Sequence, residues 1–169
     1  MSSFPLIGLL TRLRRNHALE HATIHILSRR HPETRVVGRS TPKGFLLYGD
    51  LPTERVLVAA KEAAKRLQDG QRHLAVHPSC GTNFVTSGVL SGLGVFAVLT
   101  PRRRDWREWL RRLPMVFLIA TGGVILGQQL GPILQATVTT DPDVGQVRVV
   151  GIVREERAGL VFHRIQIEA

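Results

Sequence analysis

Two stretches of this chain, Asn83–Thr100 and Leu113–Gln135, contain no Asp, Glu, Lys or Arg. At 18 and 23 residues they match the roughly 20 that a helix needs to cross the hydrocarbon core of a bilayer. They are joined by PRRRDWREWLRR, residues 101–112. Together the three segments read as a transmembrane helical hairpin. Trp106 and Trp109 are expected at headgroup level, and the arginines of the Arg102–Arg112 loop against anionic lipid headgroups. Small residues recur at four-residue spacing, as Ser87/Ser91, Gly88/Gly92 and Gly123/Gly127. Such spacing lets helices approach closely in lipid, so the hairpin packs on itself or forms a homodimer through these faces. A buried hairpin inside a soluble core is the competing reading.

The charge is distributed around these spans. The 169 residues carry a formal net charge of +10, of which residues 1–82 hold +7, residues 101–112 hold +4 and residues 136–169 hold −1. Aromatic residues make up 5% of the chain and no nucleic-acid-binding motif is present, so no nucleic-acid partner is expected and the positive charge is assigned to a membrane surface. A single Cys excludes an intramolecular disulfide, and the length excludes a second full enzyme domain. The start MSSFPLIGLLTRLRR places its basic residues after a short apolar run, unlike a signal peptide. That favours a cytosolic N-terminal block, whereas the arginine-rich loop argues for its own placement in the cytosol. Two crossings put both termini on one side of the cell membrane, with the cytosolic side slightly favoured.

The remaining sequence predicts an α+β fold. Pro5 to about Arg30 has helical period, with Leu10, Leu13, Ile24 and Leu27 on one stripe, and His31-Pro32 ends it. Val36–Arg39 and Gly44–Tyr48 read as a β-hairpin. Thr53 is the expected N-cap of a helix closed by Gly70. His73–Val76, Ala136–Thr140, Gln146–Arg154 and Leu160–Ile167 read as strands, the last three extending the sheet. The expected domains are a small helix/sheet layer over residues 1–82, the hairpin over 83–135 and a C-terminal β segment over 136–169.

Chemistry concentrates in the first helix. At about 100° per residue, positions 10, 13, 17, 20, 21, 24 and 27 share an arc of roughly 120°, so His17, Glu20 and His21 interrupt an apolar stripe. Buried unpaired, each would cost several kcal/mol. A divalent metal ion, Zn²⁺ above all, is one partner that satisfies them; hydrogen bonding between the histidines and Glu20 is the other. Spaced i and i+4, His17 and His21 can bind one ion, with Glu20 beside it as a base for a metal-bound water. The H-x-x-E-H order is that of inverted zinc peptidases. A second cluster, His77-Pro78-Ser79-Cys80-Gly81-Thr82-Asn83, offers an imidazole and a thiol three residues apart in a fixed turn. His25 falls at the edge of the same helical face, as a spare ligand or a donor to one. His31, His73 and His163 read as solvated or structural, and Asp50 as a turn or capping residue.

The paired motifs, His17-Ala-Leu-Glu20-His21-Ala-Thr-Ile and His77-Pro-Ser-Cys80-Gly81-Thr82-Asn83, resemble those of two related families of uncharacterised bacterial membrane proteins. One is described as metal-dependent enzymes and has A-E-H-K and H-P-R-C-G-T-S at the corresponding places. The other is a domain of unknown function whose pattern also covers Gly44-Phe45-Leu46-Leu47-Tyr48-Gly49-Asp50 and the helix that follows. The resemblance covers about residues 14 to 100. It implies a metal site on a membrane protein, carried by His17, Glu20, His21, His77 and Cys80, and implies no substrate. Ala22 and Thr23 stand where the first family has Lys and an apolar residue. Relative to inverted zinc peptidases no downstream glutamate ligand is evident, because Glu54 and Glu62 sit on an amphipathic helix; peptidase activity is an analogy only.

Two functions are therefore expected to compete. One is a membrane-bound, zinc-dependent hydrolase in which Glu20 activates a metal-bound water. The other is a non-catalytic protein whose zinc site, closed by His17, His21, His77 and Cys80, clamps the first helix to the hairpin.

Overall fold

The computed structural model describes residues 5–100 and 106–168. The chain divides into two units, one of Met1–His77 with Ala136–Ala169 and one of Pro78–Gln135.

The first unit is α+β. Helix α1 spans Pro5–Arg30, strand β1 Val37–Thr41, β2 Gly44–Tyr48, helix α2 Thr53–Gln68, β3 Arg148–Arg157 and β4 Leu160–Glu168. The strands form one antiparallel sheet in the order β1-β2-β4-β3. β1 and β2 are joined through Pro42-Lys43, and β3 and β4 through Ala158-Gly159, both at positive φ (51° and 76°) as a tight two-residue turn requires. The β4 strand pairs with β2, setting Phe45 opposite Ile165 and Leu47 opposite His163. Phe45, Leu47, His163 and Ile165 are all buried.

The two helices supply the rest of this core. On α2, Val56, Ala59, Ala60, Ala63, Ala64 and Leu67 are buried, the spacing of a single helical stripe. Its alanines let α1 approach, and Arg30 closes the pair through Glu62 at 2.7 Å. On α1 burial begins at Asn16; Ala18, Leu19, Ala22, Ile24, Ile26 and Leu27 are in the core, whereas Leu10 is exposed. The expected stripe through Leu10 and Leu13 is thus confined to the second half of the helix, the part that has the sheet and α2 beside it.

Several local expectations are corrected. Pro52, not Thr53, precedes the first turn of α2, and no side chain caps it. His73–Val76 is not a strand: Arg72–Ala75 forms a 3₁₀ turn. Ala136–Thr140 is not a strand either, although Thr-Val-Thr-Thr is β-prone; Gln135–Thr139 is a π-helical turn. Arg14 explains that override, since its Nη2 donates to the carbonyls of Thr137 and Thr140, both at 3.1 Å. A guanidinium set against helix-terminal carbonyls favours the helical form. Of the two readings of His163, solvated or structural, its burial in β4 supports the structural one; Asp50, just after β2, also accepts an ion-paired hydrogen bond from Arg154 at 2.9 Å.

The second unit is a pair of antiparallel helices, α3 (Gly81–Leu99) and α4 (Trp106–Leu134), each long and apolar enough to span a membrane. The basic connector is shorter than expected, because Trp106–Arg112 is already helical; Arg102, Arg103 and Arg104 lie outside the described residues. What the two helices bury against each other is small or polar. Gly123 lies against Ser91, Gly127 against Ser87 and Gly131 against Asn83. Ser91 Oγ donates to the Ala120 carbonyl at 2.9 Å, Ser87 Oγ to that of Val124 at 3.3 Å, and Gln135 Nε2 to Asn83 Oδ1 at 2.6 Å. Phe84, Val89, Leu93, Phe96, Phe117 and Leu118 are exposed. A soluble hairpin would bury those side chains; here polar groups face inward and apolar ones outward.

Candidate metal centre

Helix α1 carries His17, His21 and His25 at i, i+4 and i+8, a stripe that drifts by only about 40° per step. Each ring is held by a backbone carbonyl. His17 donates its Nδ1–H to Thr139 at 3.0 Å, His21 its Nδ1–H to Ala75 at 2.7 Å, and His25 its Nε2–H to Val76 at 2.8 Å. A carbonyl oxygen can only accept, so each bond fixes the tautomer. In the neutral rings the lone pair lies on Nε2 of His17 and His21 and on Nδ1 of His25. This is the arrangement by which metal-binding histidines are oriented.

The 3₁₀ turn that supplies two of these carbonyls leads directly into His77. Ring centroids are 4.3 Å apart for His17 and His21, 5.8 Å for His21 and His77, and 4.7 Å for His25 and His77. Four imidazoles thus form one cluster. The ligand nitrogens of His17 and His21 lie within 4.8 Å of one another. Two bonds of about 2.1 Å at a tetrahedral angle set two ligand atoms roughly 3.4 Å apart, inside that 4.8 Å bound. Burial, then the neighbouring His25 and His21, lower the pKa of His77 from 6.5 to about 4. At neutral pH His77 is therefore an uncharged donor, the form a metal requires. The imidazole chemistry of His17 and His21, with their Nδ1–H groups held by carbonyls, fits a divalent ion such as Zn²⁺.

Glu20 is buried and directed at β1. Its carboxylate lies over Gly38, where a Cβ would come within 2.6 Å of Glu20 Cγ and Cδ, and its Oε2 accepts a hydrogen bond from Ser40. Gly38 and Ser40, two apart on the strand, present the same face. Neighbouring Asn16 donates to the Thr41 carbonyl at 2.8 Å. The polar residues that interrupt the α1 stripe are thus individually partnered.

Cys80 belongs to the other unit. Its Sγ accepts from the Thr82 N–H at 3.5 Å, which makes it the N-cap of α3, and Pro78-Ser79 forms the expected turn before it. Of the residues expected from sequence, His17, His21 and His77 come together in one unit. His25 is more central than its place at the edge of the helical face implied, and the i, i+4, i+8 spacing was the available signal. Ser40, Gly38 and the carbonyls of Ala75, Val76 and Thr139 had no signal in sequence.

Residues 12–152 match a family described as a domain of unknown function (DUF6391). An uncharacterized protein of Picosynechococcus sp. is 38% identical over 101 residues, covering 53% of this chain and 49% of its own length; the chain thus spans about half of that relative. No solved structure matches the chain.

Proposed function

We propose that this chain, which belongs to the DUF6391 family, is a membrane-anchored metalloprotein that holds a zinc ion on His17, His21 and His77 and catalyses hydrolysis there. The observation that carries the reading is the pair of Nδ1–H to carbonyl bonds on His17 and His21, with a third imidazole, His77, kept neutral beside them. A divalent ion held by these rings would supply Lewis acidity and lower the pKa of water there toward neutrality. Ser40 holds Glu20 Oε2, and the Glu20 carboxylate would be the general base for water activated at such an ion. Gly38, lacking a Cβ, leaves the carboxylate its place.

Membrane anchoring is supported by α3 and α4, which bury Asn83, Ser87 and glycines while exposing Phe, Leu and Val. With two crossings, both flanking segments lie on one face of the cell membrane, with Trp106, Trp109 and the basic start of α4 at the opposite headgroups.

A second reading, a closed structural zinc site, is favoured by the hold of Ser40 on Glu20, which needs no catalysis to explain it. Cys80, kept by chain length within about 11 Å of His77, would then be the fourth ligand. Cobalt-substituted full-length protein separates the two. An open site responds to added azide in its visible absorption and shows no thiolate charge-transfer band. A closed site shows that band, loses it in Cys80→Ser and ignores azide. Failure of the purified protein to take up zinc or cobalt stoichiometrically would refute both readings.

A further inference from the structure

The first turns of α1 have no place in the core of their unit. Leu6, Ile7, Leu9 and Leu10 are 67%, 58%, 45% and 57% exposed, although most of the same helix from Asn16 to Leu27 is buried. At about 100° per residue, these four and Leu13 fill an arc of roughly 160°, with Gly8, Thr11, Arg12 and Arg15 opposite; Arg14, one turn further on, falls within that arc and turns to the carbonyls of Thr137 and Thr140. The segment is therefore amphipathic, with basic residues on its polar strip.

Its position is fixed by what α1 bonds to next. Arg14 Nη2 donates to the carbonyls of Thr137 and Thr140, and the Arg14 carbonyl accepts from the Asp141 N–H. Arg15 pairs with Asp141 at 3.4 Å, and His17 donates to Thr139. All these partners lie in residues 137–141, the stretch that leaves α4 after Leu134. Thr137 can be no more than about 11 Å along the chain from Leu134. Where α4 leaves a bilayer, residues 137–141 are at its surface, and Arg14–His17 are held there with them.

We infer that Leu6–Leu13 is an interfacial anchor: the apolar arc of α1 lies in the headgroup and upper acyl region of the bilayer, with Arg12 toward anionic headgroups. This rests on the reading that α3 and α4 cross the membrane. A lipid surface, rather than a second copy, is the occupant that the bonds to the α4 exit segment and the adjacent positive charge select.

The test uses full-length protein with Trp106→Phe and Trp109→Phe, so that one introduced tryptophan reports alone. Leu10→Trp, Leu6→Trp, Thr11→Trp and Leu118→Trp are reconstituted separately into phosphatidylcholine/phosphatidylglycerol vesicles, with and without brominated acyl chains. The anchor predicts at least twofold quenching by bromolipid, and blue-shifted emission, at Leu6→Trp and Leu10→Trp. Thr11→Trp should be quenched clearly less, and Leu118→Trp strongly. Quenching at Leu118→Trp but at neither leucine of α1 would overturn the anchor while leaving the membrane reading intact. No quenching at Leu118→Trp would overturn both. A blue shift at Leu10→Trp without quenching, growing with protein-to-lipid ratio, would assign the face to a second copy and refute the inference.

Discussion

Replacing Gly123 by Ala tests the packing of the two long helices directly. A Cβ there would stand 2.6 Å from both Cα and N of Ser91. Ordinary contact begins near 3.4–3.6 Å, so the α3 and α4 backbones must part by about 1 Å. Backbone atoms, unlike a side-chain tip, cannot swing aside. The same movement stretches the 2.9 Å bond from Ser91 Oγ to the Ala120 carbonyl past hydrogen-bonding distance. Overpacking of this kind costs about 1–3 kcal/mol, and an interhelical hydrogen bond in lipid contributes about 0.6 kcal/mol. Gly123→Ala is therefore expected to destabilise the hairpin by roughly 2–3 kcal/mol. Gly88→Ala is the matched control: nothing lies within 4 Å of its added Cβ, and Ala is the better helix former by about 1 kcal/mol in an aqueous host. The readout is reversible unfolding in mixed micelles, followed by helical circular dichroism. Equal stability of the two variants would refute the close-packed seam.

The remaining expectations concern the first unit. Gly38→Ala should drive the Glu20 carboxylate from its bond to Ser40 and cost about 1–2 kcal/mol; in a double-mutant cycle with Glu20→Ala most of that loss should vanish, and additive losses would show that the two do not touch. Arg14→Met removes two charge-assisted bonds to Thr137 and Thr140 and should cost about 2–4 kcal/mol, with protection lost at the amides around residue 140 in hydrogen exchange. Zinc at a hundred times its Kd should stabilise the wild type by about 2.7 kcal/mol but leave His21→Ala unmoved in thermal melts; equal shifts would place the ion elsewhere. Burial, and then Arg154, hold the pKa of His163 below 6.5, against the smaller opposing pull of Asp50. The unfolded chain therefore takes up the proton first, so the stability due to neutral His163 is complete above about pH 6.5 and is lost as pH falls through its folded-state value. His163→Phe should melt like the wild type at pH 8 and lose less on acidification, and identical acid limbs would count against this.

Sequence made some of this legible and not the rest, and the division follows the range of the interactions. The β1–β2 hairpin, α2 and the two apolar spans are set by local pattern, and they stand within a few residues of where that pattern puts them. The strand reading of Ala136–Thr140 failed because Arg14, more than 120 residues away, bonds to the carbonyls of Thr137 and Thr140. The four-residue spacing of Ser87/Ser91 and Gly123/Gly127 marked a close-packing face, but pattern alone could not separate it from Gly88/Gly92, whose positions meet open space. At the candidate centre the side chains proposed as ligands were visible as residue types. Their tautomers were not, because those depend on main-chain carbonyls that any sequence could present.

Those carbonyls share one property: they flank the hairpin. Ala75 and Val76 precede α3 by a few residues, and Thr139 follows α4 by a few. The histidine stripe of α1 thus grips both chain connections through which the second unit is attached, His21 and His25 at the entry and His17 at the exit. Each of these bonds uses one ring nitrogen and leaves the tautomer that a metal ion requires. If the site holds a metal as proposed, orienting the ligands and holding these two connecting segments are one set of interactions. A change that breaks a carbonyl bond without removing the imidazole, such as a proline insertion after Ala75, should lower metal affinity and loosen the entry segment together. Metal affinity that stayed unchanged while that segment lost its exchange protection would separate the two roles and refute the coupling.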